Sequence, residues 1–576
     1  MAKQLLATGI YKPRKRPGSV PAKEDEAPKK PRSRKAPSAD KTRVNITAED
    51  LCDDIIRYVG SDLERHRGCD IIDLYPGTGV WSSKLNEFLK PRTHILMEPD
   101  DKFYEPFLKP LLDKEGTILV PKSGILWKDL NQVLTPEYLP HQEVREGEDL
   151  LKRNDTLLVT ANLAFHPKKK YNRFDSVAKL VFHQFIDSIR TSSLFQKYGQ
   201  VRMLIWARVD DTQGLLPRHV QKRKKLAITT ELYCEWVREV CSLYAPDPSW
   251  YGRDYNLDTY MTVNVIKKME EAGMTLPAKR EPKMFSEIKK ELADGVEVDA
   301  PGTAVPIYRR TFTHALESLE SLEASDKIKK DSPEYNTLAN HRYRQSSEEK
   351  KQDQALQLSQ ALDNLQKRAH GMEASGTYTT EAAQKLADEW DAKLRDCFRS
   401  LLVEFPPYRS NMHLVRQDPP VLHWDRKVYE PIAVRESDFF PRVECNLLDI
   451  QPKPVHPLIR QAGPNSNRGG DVMEHIMSYM LLSGSQPIDR VLNSMWPGAA
   501  EYILPRWTSV RDPAQGGVPH IPHKLAALTP RLLNARQWEQ LLELWMEWPF
   551  RPDFPELISR FYETEGETED MIVSDA

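Results

Sequence analysis

The stretch DLYPGTGVW, residues 73–81, decides the fold of this 576-residue chain, because it joins an apolar strand pattern to a helix pattern. This spacing places Gly77 and Gly79 in a strand-to-helix turn of a nucleotide-binding α/β fold, where glycine lets the backbone approach a ligand. Nineteen residues after Gly79, Glu98 ends the next strand pattern, where a carboxylate can accept both hydroxyls of a ribose. A plain tight turn also explains the glycines, so Glu98 is what favours a ligand pocket.

Continuous apolar runs surround this turn and predict strands that are buried on both faces. One further run, LAITTEL (226–232), alternates more and predicts a strand toward the edge. Short strands that alternate with amphipathic stretches indicate an α/β fold with a mostly parallel, doubly wound sheet. The continuous runs are CDIIDLY (69–75), THILME (93–98), TLLVTAN (156–162) and VRMLIWA (201–207).

Changes in composition divide the chain into six regions. The stretch 271–426 is highly charged and reads as helices, KVYEPIAV (427–434) and NLLDIQP (446–452) read as strands that return to the sheet, and QAGPNSNRGG (461–470) reads as a linker. The predicted regions are a disordered basic segment (1–43), an α/β domain (44–270), a charged helical insertion (271–426), return strands (427–460), a smaller C-terminal helical domain (461–561) and an acidic mobile tail (562–576).

Composition excludes several classes of protein. Six cysteines lie far apart without paired C-x-x-C spacing, so neither a disulfide framework nor a zinc site is indicated. No apolar run approaches the roughly 18 residues that a membrane-spanning helix needs. The net charge of −2 is an average over local clusters of opposite sign.

Both ends of the chain carry strong local charge. The first 43 residues hold thirteen Lys or Arg and four acids, and no acid precedes Lys23, which suits a mitochondrial import presequence. Prolines at 13, 17 and 21 interrupt a long helix, and PKKPRSRK (28–35) equally suits a nuclear signal, a phosphate-binding arm or a solvated tail. The last fifteen residues hold six acids and no base.

The run ANLAF (161–165) follows a predicted strand and can contact a base. An amide such as Asn162 can hold an exocyclic amine while an aromatic ring such as Phe165 stacks on the extruded base. A helix N-cap is the other explanation for Asn162. These two residues are the vestigial catalytic candidates, and no metal site is predicted.

Two basic loops follow predicted strands, HPKKKYNR (166–173) and RHVQKRKK (218–225). Loops that leave parallel strands emerge at one edge of a sheet, so both are expected to rim the same pocket. Lysine runs are often only solvated surface, but beside a base-binding signature they favour phosphate contacts. The candidate nucleic-acid residues are Lys168, Lys169, Lys170, Arg173, Arg218, Lys222, Arg223, Lys224 and Lys225.

At these residues the chain resembles the fungal mitochondrial transcription factors, relatives of the ribosomal RNA adenine N6-dimethyltransferases that act as specificity factors for the mitochondrial RNA polymerase. The similarity rests on four segments that occur in the family's order and span roughly 44–270 and 427–562. It implies a Rossmann-like methyltransferase fold. The segments are DLYPG (73–77), ANL (161–163), LFQKYGQVRMLIW (194–206) and MEWPFRPD (546–553).

The chain departs from an active dimethyltransferase at three points. Tyr75 stands in place of the first glycine, Ala164 replaces a proline, and the acid expected after the third strand has no counterpart in VPKSGILW (120–127). A bulky residue at 75 crowds the methionine end of the cofactor. The resemblance therefore implies a pocket for S-adenosylmethionine without establishing turnover, and loss of cofactor binding is the alternative. The residues carried over to this pocket are Asp73, Gly77, Gly79, Glu98 and Asn162.

The leading hypothesis is a mitochondrial matrix protein that binds the mitochondrial RNA polymerase and helps to melt promoter DNA. The resemblance implies that the tail from about residue 562 enters the polymerase cleft. The alternative is that this tail is only disordered. One alternative is an active S-adenosylmethionine-dependent dimethyltransferase of the mitochondrial small-subunit rRNA. A second is an RNA-binding protein of the mitochondrial ribosome.

Overall fold

The computed structural model describes residues 1–8, 39–171, 174–243, 253–308, 310–330 and 332–560. An eight-stranded mixed sheet organises this part of the chain, and a two-stranded antiparallel sheet lies apart from it. The strands are β1 (Asn45–Ile46), β2 (Asp70–Leu74), β3 (Thr93–Met97), β4 (Thr117–Val120), β5 (Arg153–Asn162), β6 (Gln200–Arg208), β7 (Cys234–Ser242), β8 (Ile432–Ala433), β9 (Phe439–Phe440) and β10 (Cys445–Pro452).

The strand order in the main sheet is β4-β3-β2-β5-β6-β10-β7-β8. Strands β2 to β6 are parallel, whereas β10 runs antiparallel between β6 and β7. The short β8 pairs in parallel with β7 at the edge of the sheet. The prediction of a doubly wound, mostly parallel methyltransferase-type sheet is therefore confirmed.

Eighteen numbered α-helices surround the sheets in the described part of the chain, and residues 554–560 are helical as well. They are α1 (Ala2–Ala7), α2 (Glu49–Leu63), α3 (Val80–Leu89), α4 (Asp101–Leu112), α5 (Trp127–Val133), α6 (Val177–Thr191), α7 (Val209–Thr212), α8 (Lys225–Tyr233), α9 (Tyr255–Glu271), α10 (Lys283–Ala293), α11 (Thr313–Ala324), α12 (Pro333–Ala374), α13 (Thr380–Arg395), α14 (Leu401–Val415), α15 (Gly469–Leu482), α16 (Ile488–Met495), α17 (Ala499–Ile503) and α18 (Ala535–Glu547). No helix in these described ranges is long and apolar enough to cross a membrane.

Two hydrophobic clusters cover the two faces of the sheet, because successive strand residues point to opposite sides. In β5, Leu157 and Val159 belong to one cluster and Leu158 to the other. The first cluster continues into α15, α16 and α18, so the C-terminal helices share their core with this face. The second cluster includes α2 and α3.

The prediction of a strand at 226–232 is wrong, because this segment is helix α8 and the strand that follows it is β7. Every residue from Leu226 to Tyr233 is buried, so the helix is covered on all sides and lacks the apolar stripe that identifies a surface helix. The hydroxyls of Thr229 and Thr230 donate to the carbonyls four residues earlier. The alternating run KVYEPIAV contributes only the two residues of β8, while NLLDIQP lies within the central strand β10.

Two expected domain boundaries also need correction. Helices α9 and α10 pack on the sheet through Val263, Ile266, Phe285 and Ile288, so the sheet layer extends beyond the boundary expected at residue 270. Residues 1–8 are not disordered as expected, because Leu5 of α1 is buried beside α4. The rest of the basic segment from 9 to 38 and the acidic tail from 562 lie outside the described residues.

Candidate functional site: a filled pocket beside the glycine turn

The glycine turn lies where the sequence predicted it, between β2 and α3. Gly77 and Gly79 have φ values of +58° and +70°, which side chains rarely adopt. A Cβ at Gly77 would lie 2.4 Å from Asn45 Oδ1, and one at Gly79 would lie 2.6 Å from Leu108 Cδ2. Both glycines are therefore needed for contacts within the protein, whether or not a ligand binds there.

Glu98 follows β3 at the same edge of the sheet and is completely buried. Its carboxylate accepts hydrogen bonds from Arg43 Nη1 at 3.0 Å and Arg43 Nη2 at 3.2 Å. The backbone N–H groups of Gly77 and Asp100 also donate to it, each at 3.1 Å. The oxygens expected to accept ribose hydroxyls are thus occupied by groups of the protein itself.

Arg43 is the central residue of the site. Its guanidinium lies 4.5 Å from the ring centroid of Tyr75 and donates to the Tyr75 carbonyl at 3.0 Å. Burial opposes its charge most strongly, but the Glu98 carboxylate and the rings of Tyr104 and Tyr75 together outweigh burial and raise the pKa of Arg43. Arg43 therefore stays charged as it fills the space beside the glycine turn.

Tyr75 extends this filling across the carboxyl edge of the sheet. Its backbone keeps the left-handed conformation of the glycine it replaces, with φ of +58°. Its hydroxyl lies 2.7 Å from Ser123 Oγ in the loop after β4, and its ring packs edge-on against Phe165 with 6.3 Å between centroids. Burial raises the pKa of Tyr75. Phe165 is only 4% exposed and is covered in this arrangement, so it offers no free face to a base.

Asn162 holds the N-terminal segment instead of an amine. Its Nδ2 donates to the Val44 carbonyl at 2.9 Å, and its Oδ1 accepts from the Ala164 N–H at 3.2 Å. The Val44 N–H in turn donates to the Ala164 carbonyl at 3.0 Å. Arg43 binds Glu98, and the adjacent Val44 binds Asn162. The structure therefore brings Glu98 and Asn162, both predicted as pocket residues, to one site.

Asp73 lies within β2, and its carboxylate is also directed at the protein. Its Oδ2 lies 3.4 Å from Nε2 of His94, whose Nδ1 is 3.1 Å from the Asn86 amide nitrogen. All three side chains are buried. Asp73 therefore supports the strand packing beneath the turn.

S-adenosylmethionine does not fit the site formed by the described residues. The carboxylate that would hold its ribose is saturated, and Arg43, Tyr75 and Phe165 fill the adjoining space. Neither Arg43 nor its contact with Glu98 was predicted from sequence, because a lone basic residue in a basic segment carries no distinguishing signal.

The first basic loop remains on the surface. Lys168 Nζ lies 3.3 Å from Asp210 and Lys169 Nζ lies 3.0 Å from Asp40, while Lys170 is exposed. Arg173 lies outside the described residues. This loop can present cations at the carboxyl edge, although two of its three described lysines already have acidic neighbours.

The second basic loop separates into exposed and structural residues. Lys222 and Lys224 are exposed. Arg223 is fully buried, pairs with Glu231 and donates to two backbone carbonyls of the C-terminal region, so it is removed from the candidate phosphate contacts. Lys225 pairs with Glu474 at 2.6 Å.

Arg218, at the start of the second loop, is half-buried and also has neighbours within the protein. Its guanidinium lies 4.3 Å from the ring centroid of Trp424, and its Nη2 lies 3.4 Å from the Glu239 carboxylate. Among the described cations of this loop, Lys222 and Lys224 are therefore the ones best placed to meet phosphate.

The sheet order and the glycine turn define a methyltransferase-type α/β protein, and residues 53–249 match the Ribosomal RNA adenine dimethylase family. Proteins named "Mitochondrial transcription factor 1" from Saccharomyces paradoxus and Saccharomyces cerevisiae are each 22% identical over 166 residues, and that from Lachancea kluyveri is 22% identical over 168 residues. Each alignment covers 29% of this chain and 45% of the relative, so the chain spans less than half of their length. These matches confirm the resemblance that the sequence predicted.

A solved dimethyladenosine transferase from Plasmodium falciparum is also similar to this chain. It has 14% sequence identity and a TM-score of 0.22, and the match covers 51% of this chain and 94% of that one.

Proposed function

We propose that this chain is a mitochondrial transcription initiation factor, built on a methyltransferase fold whose adenosyl pocket is filled by the chain itself. The observation that carries the proposal is the buried Arg43–Glu98 pair, which replaces the ribose contact of a cofactor. The names of the relatives support the role in transcription and the location in the mitochondrion, and we assign the chain to the matrix. In this proposal the fold serves as a binding surface instead of a catalyst.

The proposed partners are the mitochondrial RNA polymerase and promoter DNA. Lys170, Lys222 and Lys224 are exposed in loops that follow β5 and β6, and we assign them to phosphate contacts at the carboxyl edge of the sheet. Because Phe165 is covered, the proposed contact depends on charge and not on stacking of an extruded base.

An active adenine dimethyltransferase is the second candidate, favoured by the family match over residues 53–249. It requires Arg43 and Tyr75 to leave the pocket when S-adenosylmethionine enters. Calorimetric titration with S-adenosylmethionine separates the two candidates. We expect no binding heat, whereas micromolar binding would restore the enzyme hypothesis.

Run-off transcription from a mitochondrial promoter tests the leading proposal directly. Adding the chain to its polymerase should increase promoter-specific product, and the double variant Lys222→Ala, Lys224→Ala should reduce this increase and flatten the salt dependence of DNA binding. The matched control is Lys289→Ala, Lys290→Ala, which removes two exposed lysines from α10. A polymerase that initiates equally well without the chain would disprove the proposal.

A further inference from the structure

A second concave surface lies away from the filled pocket and shares none of its residues. This cleft has a volume of about 1050 Å³ and is bounded by α12 and α14 of the insertion, the loop 513–519 and the first turn of α18. Lys453, which follows β10, and Arg426 also line it. The cleft therefore joins the charged insertion, whose role the sequence left open, to the sheet and the C-terminal helices.

The lining of this cleft carries an excess of positive charge. Six lysine and arginine side chains line it against three carboxylates. Of these carboxylates, Glu231 pairs with the buried Arg223, and Asp363 pairs with Arg416 at 2.9 Å. The six cations are Lys367, Arg409, Arg416, Arg426, Lys453 and Arg536.

Three of these cations bind only backbone carbonyls. Arg409 donates to the carbonyls of residues 525, 526 and 527 at 2.8–3.1 Å, Arg426 donates to those of residues 420 and 421, and Lys453 donates to that of Glu231 at 2.8 Å. Within the described ranges, no carboxylate lies within 4.0 Å of these three.

Burial therefore disfavours the charged form of all three side chains. It lowers the pKa of Arg409 to about 10 and also lowers those of Arg426 and Lys453. Carbonyl dipoles compensate a buried charge less well than an opposite charge does. A group of half-buried cations that bind only carbonyls is therefore stabilised when an anion enters.

We infer that this cleft binds the phosphate backbone of a single-stranded nucleic acid. Its volume is at the upper limit of small-ligand pockets, and its cations lie on both walls, which suits a short length of strand. Among the described residues, no phenylalanine, tyrosine or tryptophan lines the cleft, so we expect contacts to phosphates without stacking on these rings and little sequence preference.

An amide and a neutral imidazole add uncharged polar atoms to the site. Gln366 Nε2 and His413 Nε2 both belong to residues that line the cleft, and both atoms are buried without a hydrogen-bond partner among the described residues. Burial lowers the pKa of His413 to about 3, so this ring is neutral at physiological pH. Such groups are available to a phosphate oxygen or a water that accompanies it.

Fluorescence anisotropy with a labelled single-stranded oligonucleotide of about twelve nucleotides tests the inference on the full chain. The variant Lys367→Glu, Arg536→Glu reverses two exposed cations on opposite walls and leaves the half-buried ones in place. We expect its affinity to fall at least about ten-fold, and the slope of log affinity against log salt to lose about 1.4, at about 0.7 per phosphate contact.

The matched control is Lys385→Glu, Lys393→Glu, which makes the same change of charge at exposed positions of α13 outside the cleft. Thermal unfolding of each variant checks that the fold is retained. An unchanged affinity and slope in the cleft variant, or an equal loss in the control, would overturn the inference. Displacement of the strand by micromolar inorganic triphosphate would also overturn it, since it would indicate a site for a small anion.

This inference adds a second nucleic-acid surface to the proposed function, but the two can fail separately. If only the Lys222→Ala, Lys224→Ala variant loses strand binding, the cleft inference fails and the proposed function stands. If the cleft variant loses strand binding while transcription proceeds equally without the chain, the proposed function fails and the cleft inference stands.

Discussion

Arg43 lies with its guanidinium between the Glu98 carboxylate and the ring of Tyr75, and both charged side chains are almost completely buried. A buried ion pair gains little net stability, because desolvation of the two charges offsets most of their attraction. Removing one partner is different, since it leaves an uncompensated charge in the interior. Removal of Arg43 should therefore cost more stability than the net energy of the pair. In this sense Arg43 holds the N-terminal segment at the pocket.

Arg43→Met should lower the free energy of unfolding by about 3–5 kcal/mol at neutral pH, because Glu98 is left buried and loses both guanidinium donors. Urea denaturation measures this difference. The double variant Arg43→Met, Glu98→Gln should recover most of the loss, since no charge then remains without a partner. The control Lys41→Met changes an exposed residue of the same segment and should stay within about 0.5 kcal/mol of the native value. An equal loss in both single variants would contradict the account.

The elements of the sheet were predictable where one local signal was sufficient. Continuous apolar runs identified β2, β3, β5 and β6, and the glycine spacing located the turn before α3. Helix α8 escaped detection because a helix that is buried on all sides has no polar face. The Arg43–Glu98 contact was not predictable either, because it joins residues 55 positions apart and no sequence pattern relates them.

Asp254 at the N-cap of α9 combines two opposing effects on one carboxylate. It accepts hydrogen bonds from the N–H groups of Asn256 and Ile307, which favour its charged form. Burial outweighs them and raises the pKa of Asp254 to about 6. Because this lies above the value of about 3.9 in an unfolded chain, its contribution to stability is complete below pH 4 and is lost as the pH rises through 6.

Asp254→Asn should therefore make the protein more stable above pH 6, by about 1–3 kcal/mol, and should give no gain near pH 4. The asparagine keeps an oxygen that can accept both hydrogen bonds and carries no charge. Urea denaturation at several pH values from 4 to 8 measures the difference. Asp299→Asn removes an exposed carboxylate from the charged insertion and serves as the control. A gain that does not change with pH would exclude titration of Asp254 as its cause.

At the scale of the whole molecule, the insertion packs on the C-terminal region as well as on the sheet. A separate hydrophobic cluster joins α12, α13 and α14 to Ile521 and Ala526. Arg409 of α14 adds three hydrogen bonds to the carbonyls of residues 525, 526 and 527. Two regions more than 100 positions apart in sequence are thus held together at the cleft, and we expect them to open as one cooperative unit.

Arg409→Met should uncouple this unit, because the side chain keeps its apolar stem but no longer donates to three carbonyls. Hydrogen bonds to a charged group contribute about 1.5–3 kcal/mol each, so local opening should become at least ten-fold more frequent. Amide hydrogen exchange should accelerate together in α14 and in residues 525–533, while β2 and β5 keep their protection. Arg399→Met, an exposed change close to α14, should leave both regions unaffected. Acceleration in α14 alone would show that the two regions open independently, and acceleration that reaches β5 would show that the insertion and the sheet unfold as one unit.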